Sequence, residues 1–217
     1  MVSLEDLGFT KGIIFETIVS TYTKQGHPNI APMGVIKLDA KKILIKIYRS
    51  SNTFKNLKSK RCAVVNLSTD APLFYKSAIK ETNIDNKISK DLFEKGDIVD
   101  APLLKKADAT MEAIVRDINT LDSERAEVIL EVKNIKTAGC LPKVYSRAFS
   151  ATIESIILAT RIKLFLVGNQ LQQKQAKKMI EKVMWFKEII RRTAPKSEYD
   201  NIMSDLIKRI KIWKKNK

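Results

Sequence analysis

Glycine and proline are unevenly spread along this chain, and their distribution limits its fold more than any other feature. Of 7 Gly and 6 Pro, only Gly168 and Pro195 lie beyond residue 150. Breakers punctuate the first part into short segments, whereas the remainder is free to form long helices. The character changes near Gly139-Cys140-Leu141-Pro142. A length of 217 residues suits one large domain or two small ones. We therefore expect a β-rich domain over residues 1–143 and a helical domain over 144–217.

Within the first part, Ile13 to Tyr22 (IIFETIVSTY) alternates apolar and polar residues and is rich in β-branched types, as a half-buried strand requires. Lys24 to Pro28 is a turn, and Asn29 to Leu38 (NIAPMGVIKL) returns as a second strand. Pro32 and Gly34 inside it argue for an edge, a bulge or the close approach of a ligand. Ile43 to Tyr48 alternates again, a short helix is expected over Thr53 to Ser59, and Cys62 to Leu67 (CAVVNL) reads as a strand buried on both faces. Residues 71–105 are less regular. Ala109 to Asn119 and Glu124 to Ile135 then form a long hairpin about the turn Thr120-Leu121-Asp122-Ser123.

The second part carries three apolar stripes at helical spacing. Phe149, Ile153, Ile156, Ile157, Thr160 and Leu164 define the first, and Met179, Ile180, Val183, Trp185, Phe186 and Ile190 the second. Pro195 ends that helix, because it lacks a donor and clashes with the preceding turn. Ile202, Met203, Leu206, Ile210 and Trp213 define the third, behind Ser197-Glu198. The expected fold is α+β: a mainly antiparallel barrel followed by a three-helix bundle.

Composition removes several chemistries. His27 is the only histidine, so a His₂Cys₂ or HExxH zinc site is impossible within one chain and no metal site is expected. Ser-His-Asp or Cys-His catalysis would have to run through His27, which sits in a turn and reads as solvent-exposed. There is no GxxxxGK(S/T) or GxGxxG fingerprint. Cys62 and Cys140 lack CxxC spacing and read as inert packing residues. Asp122/Glu124 and Glu5/Asp6 lie in turns and suit capping. The acidic opening Met1-Val2-Ser3-Leu4-Glu5-Asp6 is unlike a basic signal peptide, and no apolar run reaches membrane-spanning length. A cytoplasmic, membrane-free protein is expected.

The formal net charge is +16, and nucleic acid is the partner that such a charge suggests first. Its distribution qualifies that reading. Residues 1–150 hold 24 basic and 18 acidic side chains, and residues 151–217 hold 16 and 6. Most of the excess therefore lies on the helices, where Lys174, Lys177, Lys178 and Lys182 line one segment and Lys208, Arg209, Lys211, Lys214, Lys215 and Lys217 crowd another. A solvated helical face accounts for these residues equally well, and no nucleic-acid-binding module is visible.

The segment that carries chemistry is Arg49-Ser50-Ser51-Asn52-Thr53-Phe54-Lys55-Asn56. It joins a basic residue, short hydroxyl and amide side chains and a helix start within one turn. Free N–H groups and the dipole at a helix N-terminus favour an anion, and Arg49, Ser51 and Thr53 could add donors, making a phosphate socket. The same residues also read as an ordinary N-cap. Likewise Gly34 could admit a flat ligand or mark a bulge, and Asn66 could meet a ligand or bond to neighbouring backbone.

Taken together, FETIVSTYT, GHPNIAPMGV, YRSSNTFKNL, CAVVNLSTD and APLFY resemble the FMN-binding split β-barrel superfamily, of the flavin-reductase and pyridoxamine-phosphate-oxidase type. The run Thr53, Asn56, Leu57, Val64, Val65, Asn66 is similar to the TxxNI…FxVN run of flavin reductases. Arg147 to Arg161 (RAFSATIESIILATR) resembles the helical extension of a chiefly archaeal family of uncharacterised proteins on that fold. The resemblance implies FMN in a groove at a homodimer interface. It assigns the phosphate to Arg49, Ser51, Thr53 and Asn56, and the isoalloxazine edge to the backbone of Ala31, Pro32, Met33 and Gly34, where Pro32 offers only its carbonyl. Asn66 would face the ring or the ribityl chain. The function implied is flavin-dependent redox chemistry or FMN binding alone, the alternative being a non-enzymatic, basic nucleic-acid-binding or interaction protein that uses the C-terminal helices.

Overall fold

The computed structural model describes residues 2–9, 11, 14–139 and 147–216. The domain boundary expected at 143/144, Cys140 and Lys217 lie outside the described residues. Contacts divide the chain into two compact units, one of residues 1–68 and 80–141, the other of residues 69–79 and 142–217. The helix α2 (Ala71–Ala78) therefore belongs to the second unit, although it precedes the last strands of the first.

The first unit is a closed antiparallel barrel of six strands in the order β1 (Ile14–Tyr22), β2 (Pro28–Lys37), β3 (Lys42–Tyr48), β8 (Arg125–Thr137), β7 (Ala109–Thr120), β4 (Cys62–Leu67). Alternation along each strand fills the interior with Val19, Val35, Ile43, Ile45, Val65, Met111, Val128 and Leu130. α1 (Asn52–Lys60) adds Phe54 and Leu57 to the same core, leaving Lys55 and Lys58 exposed. β4 is buried along nearly its whole length, as its continuous apolar run requires.

β2 is paired unevenly. β1 matches it from Ile14↔Ile36 to Tyr22↔Pro28 without interruption, but β3 meets only Val35, Ile36 and Lys37. The stretch from Pro28 to Gly34 is therefore open on one side. Of the alternatives read from Pro32 and Gly34, the edge is the one realised, and the bulges lie instead in the β7–β8 hairpin, near Glu112/Ala113 and Val115/Asp117.

The irregular stretch holds more structure than its sequence suggests. Asp70 caps α2 by accepting from Leu73 N at 3.0 Å, and a proline follows in the first turn. Three short 3₁₀ turns lead to a small hairpin, β5 (Phe93–Lys95) and β6 (Pro102–Leu104). Its connection is held by Glu112, which is almost fully buried on β7. One carboxylate oxygen accepts from Ile98 N at 2.7 Å and Val99 N at 3.0 Å, and the other from Asn134 Nδ2 at 2.9 Å. Gly96 is obligatory there, since a Cβ would stand 2.7 Å from Val99 O and 2.9 Å from the Glu112 carboxylate.

The second unit packs α2 with α3 (Arg147–Phe165), α4 (Gln170–Thr193) and α5 (Glu198–Lys215). The expected three-helix bundle thus acquires a fourth helix. α5 buries Ile202, Met203, Leu206, Ile207 and Ile210, close to the expected stripe. α3 differs in part: Ile153 and Ile156 of the expected stripe are buried, but the rest of the buried face is Ala148, Ala151, Thr152, Ser155, Ala159 and Ile162, and Leu164 is exposed. Small residues let neighbouring helices approach closely, so the larger side chains fall to the flanks. Trp185 is likewise exposed rather than part of the α4 stripe. Tyr75 of α2 donates to Asp205 of α5, and Arg209 Nε binds both, at 3.1 and 2.8 Å.

Two stability outcomes follow from the first unit. Glu112→Ala leaves the buried Val99 N–H and the part-buried Ile98 N–H without an acceptor, at ~1–3 kcal/mol for a buried group, and should lower unfolding stability by about 2–4 kcal/mol in urea titration. A loss no larger than the ~0.5 kcal/mol of a typical surface change would contradict this clamp. Glu131, on β8, accepts from Arg116 and from Lys133 at 2.6 Å, and these cations hold its carboxyl down at about 2. The charged form is favoured in the fold, so its stabilisation is complete above the ordinary carboxylate range and lost as pH falls toward 2. Glu131→Gln should flatten the acid limb of a pH–stability curve between pH 4.5 and 2. An unchanged limb would remove this pair as a contributor.

Candidate functional site

The turn from β3 into α1 positions the charged and hydroxyl residues. Ser51, extended at φ −68° and ψ 148°, is the N-cap, and its Oγ accepts from Phe54 N at 3.1 Å. Its carbonyl accepts from Lys55 N at 3.2 Å. The N–H groups of Asn52 and Thr53 find no acceptor among the described residues. The first turn also contains no acidic side chain, while Lys58 and Lys60 occupy the last turn. The dipole is thus complemented at its C-terminal end and left open to an anion at its N-terminal end.

Beneath this turn lies a hydroxyl–amide network. Asn56 Nδ2 donates to Thr21 Oγ1 at 3.0 Å, and Asn29 Nδ2 donates to Thr53 Oγ1 at 3.1 Å and toward Thr21 Oγ1 at 3.4 Å. Thr21, Thr53 and Asn56 are all buried, and Thr21 faces Asn29 directly across the β1–β2 ladder. The network seats α1 on the end of the barrel and orients Thr53 at the mouth of the turn. Arg49 stands at the rim, exposed, its backbone N–H donating to Glu124 O at 2.8 Å and its guanidinium to Ser123 O at 3.4 Å.

The strand expected to meet a flat ring is the open half of β2. A proline fits an antiparallel ladder only where its nitrogen faces away from its partner strand. Pro32 is opposite Ile18 and Pro28 opposite Tyr22, so Ile30, of the same parity, also turns its backbone outward. The backbone groups of Ala31 and Met33 turn toward β1 instead, and Met33 O additionally accepts from Thr17 Oγ1 at 3.0 Å. The open edge therefore offers the carbonyls of Ile30 and Pro32, with Gly34 at the fork where β3 begins to pair. Gly34 has a local reason as well: a Cβ there would lie 2.6 Å from Cγ2 of the exposed Ile14.

Asn66 is set apart from these residues. It is fully buried, its amide donates to Ile18 O at 2.8 Å and Ser20 Oγ at 2.9 Å, and its oxygen accepts from Leu104 N at 3.1 Å. That amide ties β4 to β1 and β6, and its role is structural. His27 is exposed in its turn, where its N–H donates to Thr23 Oγ1 at 3.1 Å. Burial pushes the Cys62 thiol up, as befits an unreactive packing residue. Sequence reasoning reached Arg49, Ser51, Thr53 and Asn56 but missed Thr21 and Asn29, which come near them only through strand register.

In the second unit, Lys174, Lys177, Lys178 and Lys182 are exposed along α4. Arg209 is engaged by Asp205 and Tyr75, and Trp213 lies under the Lys163 ammonium at 5.4 Å. None of the described helices is long and apolar enough to cross a membrane.

A family model described as the N-terminal domain of "Protein of unknown function (DUF447)" matches residues 15–139, and a second, "Protein of unknown function (DUF447)", matches residues 146–209. The chain belongs to the DUF447 family. The structure of FMN-bound protein MM1853 from Methanosarcina mazei, a protein of the same family, is similar over 95% of this chain and 99% of that one, with 23% identity and a TM-score of 0.76. An FMN-binding protein from Thermus thermophilus, solved with bound 1-cyclohex-2-enone, is similar over 60% of this chain and 75% of that one, with 15% identity and a TM-score of 0.50. At these identities the likeness establishes the split-barrel fold, as its strand order and the family resemblance led us to expect.

Asn56→Ala should test the network beneath the helix. It removes one buried amide–hydroxyl bond and should cost about 1–2 kcal/mol in urea unfolding. A cost indistinguishable from that of Lys55→Ala, an exposed neighbour, would show that the network does not seat α1.

Proposed function

We propose that this DUF447 protein binds FMN, with the phosphate at the N-terminus of α1, and works as a flavin-dependent redox protein. The observation that carries this reading is the pair of unaccepted N–H groups, Asn52 and Thr53, beside hydroxyls that retain a proton to donate. Ser51 Oγ accepts from Phe54 N and Thr53 Oγ1 accepts from Asn29, so each can turn its own O–H outward. Arg49 adds a charge at the rim. Donors of this kind fit a phosphate group, and the acid-free first turn removes competition for them. The FMN named for the Methanosarcina and Thermus proteins supports the same assignment.

In this reading Arg49, Ser51 and Thr53 touch the phosphate, and Asn56 acts from below by fixing Thr21. The open half of β2, Ala31 to Gly34, lies alongside the ring, with the Pro32 carbonyl as an acceptor for a ring N–H. Bound flavin supplies hydride or electron transfer, and the protein supplies position and exclusion of water. No protein acid or base in a fixed motif is required. Two such chains pair about the flavin groove: Tyr48 and Leu121, exposed apolar residues flanking Arg49 and Ser123, are suited to be covered by a second copy.

An absorption spectrum of the purified protein, or quenching of added FMN fluorescence, tests the cofactor directly. Replacing Arg49 with Ala and Thr53 with Val together should weaken FMN by about 100-fold or more, since each charge-assisted bond contributes ~1.5–3 kcal/mol. Riboflavin, which lacks the phosphate, should be affected little. Equal losses for both flavins would remove the socket from this site.

A further inference from the structure

One half-buried cation takes no part in the machinery above. The Lys80 side chain runs back to the open edge of β2, where its ammonium donates to Ile30 O. That carbonyl is its only acceptor among the described residues, and no carboxylate among them pairs with it. Burial alone brings its pKa down to about 8. An ammonium partly withdrawn from water and without a counter-ion is costly, and folds normally neutralise one with an acid. This barrel does so elsewhere, pairing the buried Lys37 with Glu5.

Position indicates which anion would complete it. Ile30 adjoins Asn29, whose amide reaches the Thr53 hydroxyl in the first turn of α1. The strand then advances by about 3.3 Å per residue away from that turn, so Met33 and Gly34 lie roughly 10 Å or more further along. Lys80 thus stands at the phosphate end of the open edge, on the side of β2 opposite β1. We propose that Lys80 is a second cationic contact for the phosphate of the bound cofactor, reaching it across the open edge of β2 while Arg49 approaches from the turn between β3 and α1. This assignment rests on the FMN reading of the same site.

The test compares Lys80→Met and Lys80→Arg with the wild-type chain in titrations with FMN and with riboflavin at low salt, alongside thermal melts without flavin. Lys80→Met should weaken FMN by about tenfold or more, as for loss of one charge-assisted contact, and leave riboflavin within about twofold. Lys80→Arg should recover most of the FMN affinity. The flavin-free Lys80→Met protein should melt at or above the wild-type temperature, because it loses an unpaired half-buried charge. Parallel losses for both flavins, a lowered melting temperature, or unchanged FMN affinity in Lys80→Met would each overturn the assignment. So would a shift of the flavin's reduction potential without a change in FMN affinity, which would place the ammonium against the ring. A wild-type chain that binds neither flavin overturns both readings. If the Arg49/Thr53 variant loses FMN selectively and Lys80→Met does not, the Lys80 assignment alone falls.

Discussion

The uneven pairing of β2 is the constraint on which the rest of the first unit depends. Strand β1 satisfies one side along its whole length, whereas β3 satisfies the other only at Val35, Ile36 and Lys37. An unpaired run inside a barrel must be given other partners or other uses, because exposed strand edges invite adventitious pairing. Here prolines at 28 and 32 remove two outward donors, and the ammonium of Lys80 occupies the Ile30 carbonyl. What remains is an acceptor-rich edge a few residues long, next to a helix N-terminus that is rich in donors. The two complementary surfaces meet at Asn29, which belongs to the strand and bonds to the helix.

Much of this fold is legible in the sequence, for a clear reason. Period-two alternation is a local signal, so β1, β3, β7 and β8 are found within a residue or two of where their patterns place them. The N-cap at Ser51 is equally local, since the side chain and the N–H that it accepts from are three residues apart. The signal fails where tertiary packing decides. α2 carries its own start signal in Asp70 and Pro72, but its short apolar run resembles a strand as much as a helix. The face of α3 is read correctly at Ile153 and Ile156 and misread at its end, because size was taken as the mark of burial. Ala148, Ser155 and Ala159 are buried there because they are small, and Leu164 is exposed.

The candidate site divides along the same line. Arg49, Ser51, Thr53 and Asn56 are neighbours in sequence, so the proposed socket can be read from one segment. Thr21 and Asn29 complete it through the β1–β2 register, which no pattern within either strand specifies. The isoalloxazine segment is a case between these. The resemblance pointed to the strand whose edge is open, but the direction of each backbone group follows from ladder parity, and parity is set by Pro32 once its partner Ile18 is known. Asn66 illustrates the reverse. A polar residue in an apolar strand draws attention as a ligand contact, yet its amide is consumed in joining three strands.

The charged groups in the barrel are treated in two ways, and the difference separates architecture from function. Glu112 is nearly inaccessible and could be ruinous to stability, but its two oxygens collect two backbone N–H groups and an amide, so its charge organises the β5–β6 connection. Lys80 has three donors and, among the described residues, one acceptor and no acid. A fold that satisfies one buried charge so fully has the means to satisfy a half-buried one. A nearby Asp or Glu would neutralise Lys80 at little cost, but it would also place negative charge beside the open N-terminus of α1 and repel the phosphate that the socket is suited to hold. The absence of a counter-ion among the described residues is what the proposed anion-binding edge requires, and in that reading the formal charge of +16 matters through one lysine placed by a strand edge more than through the many on the helices.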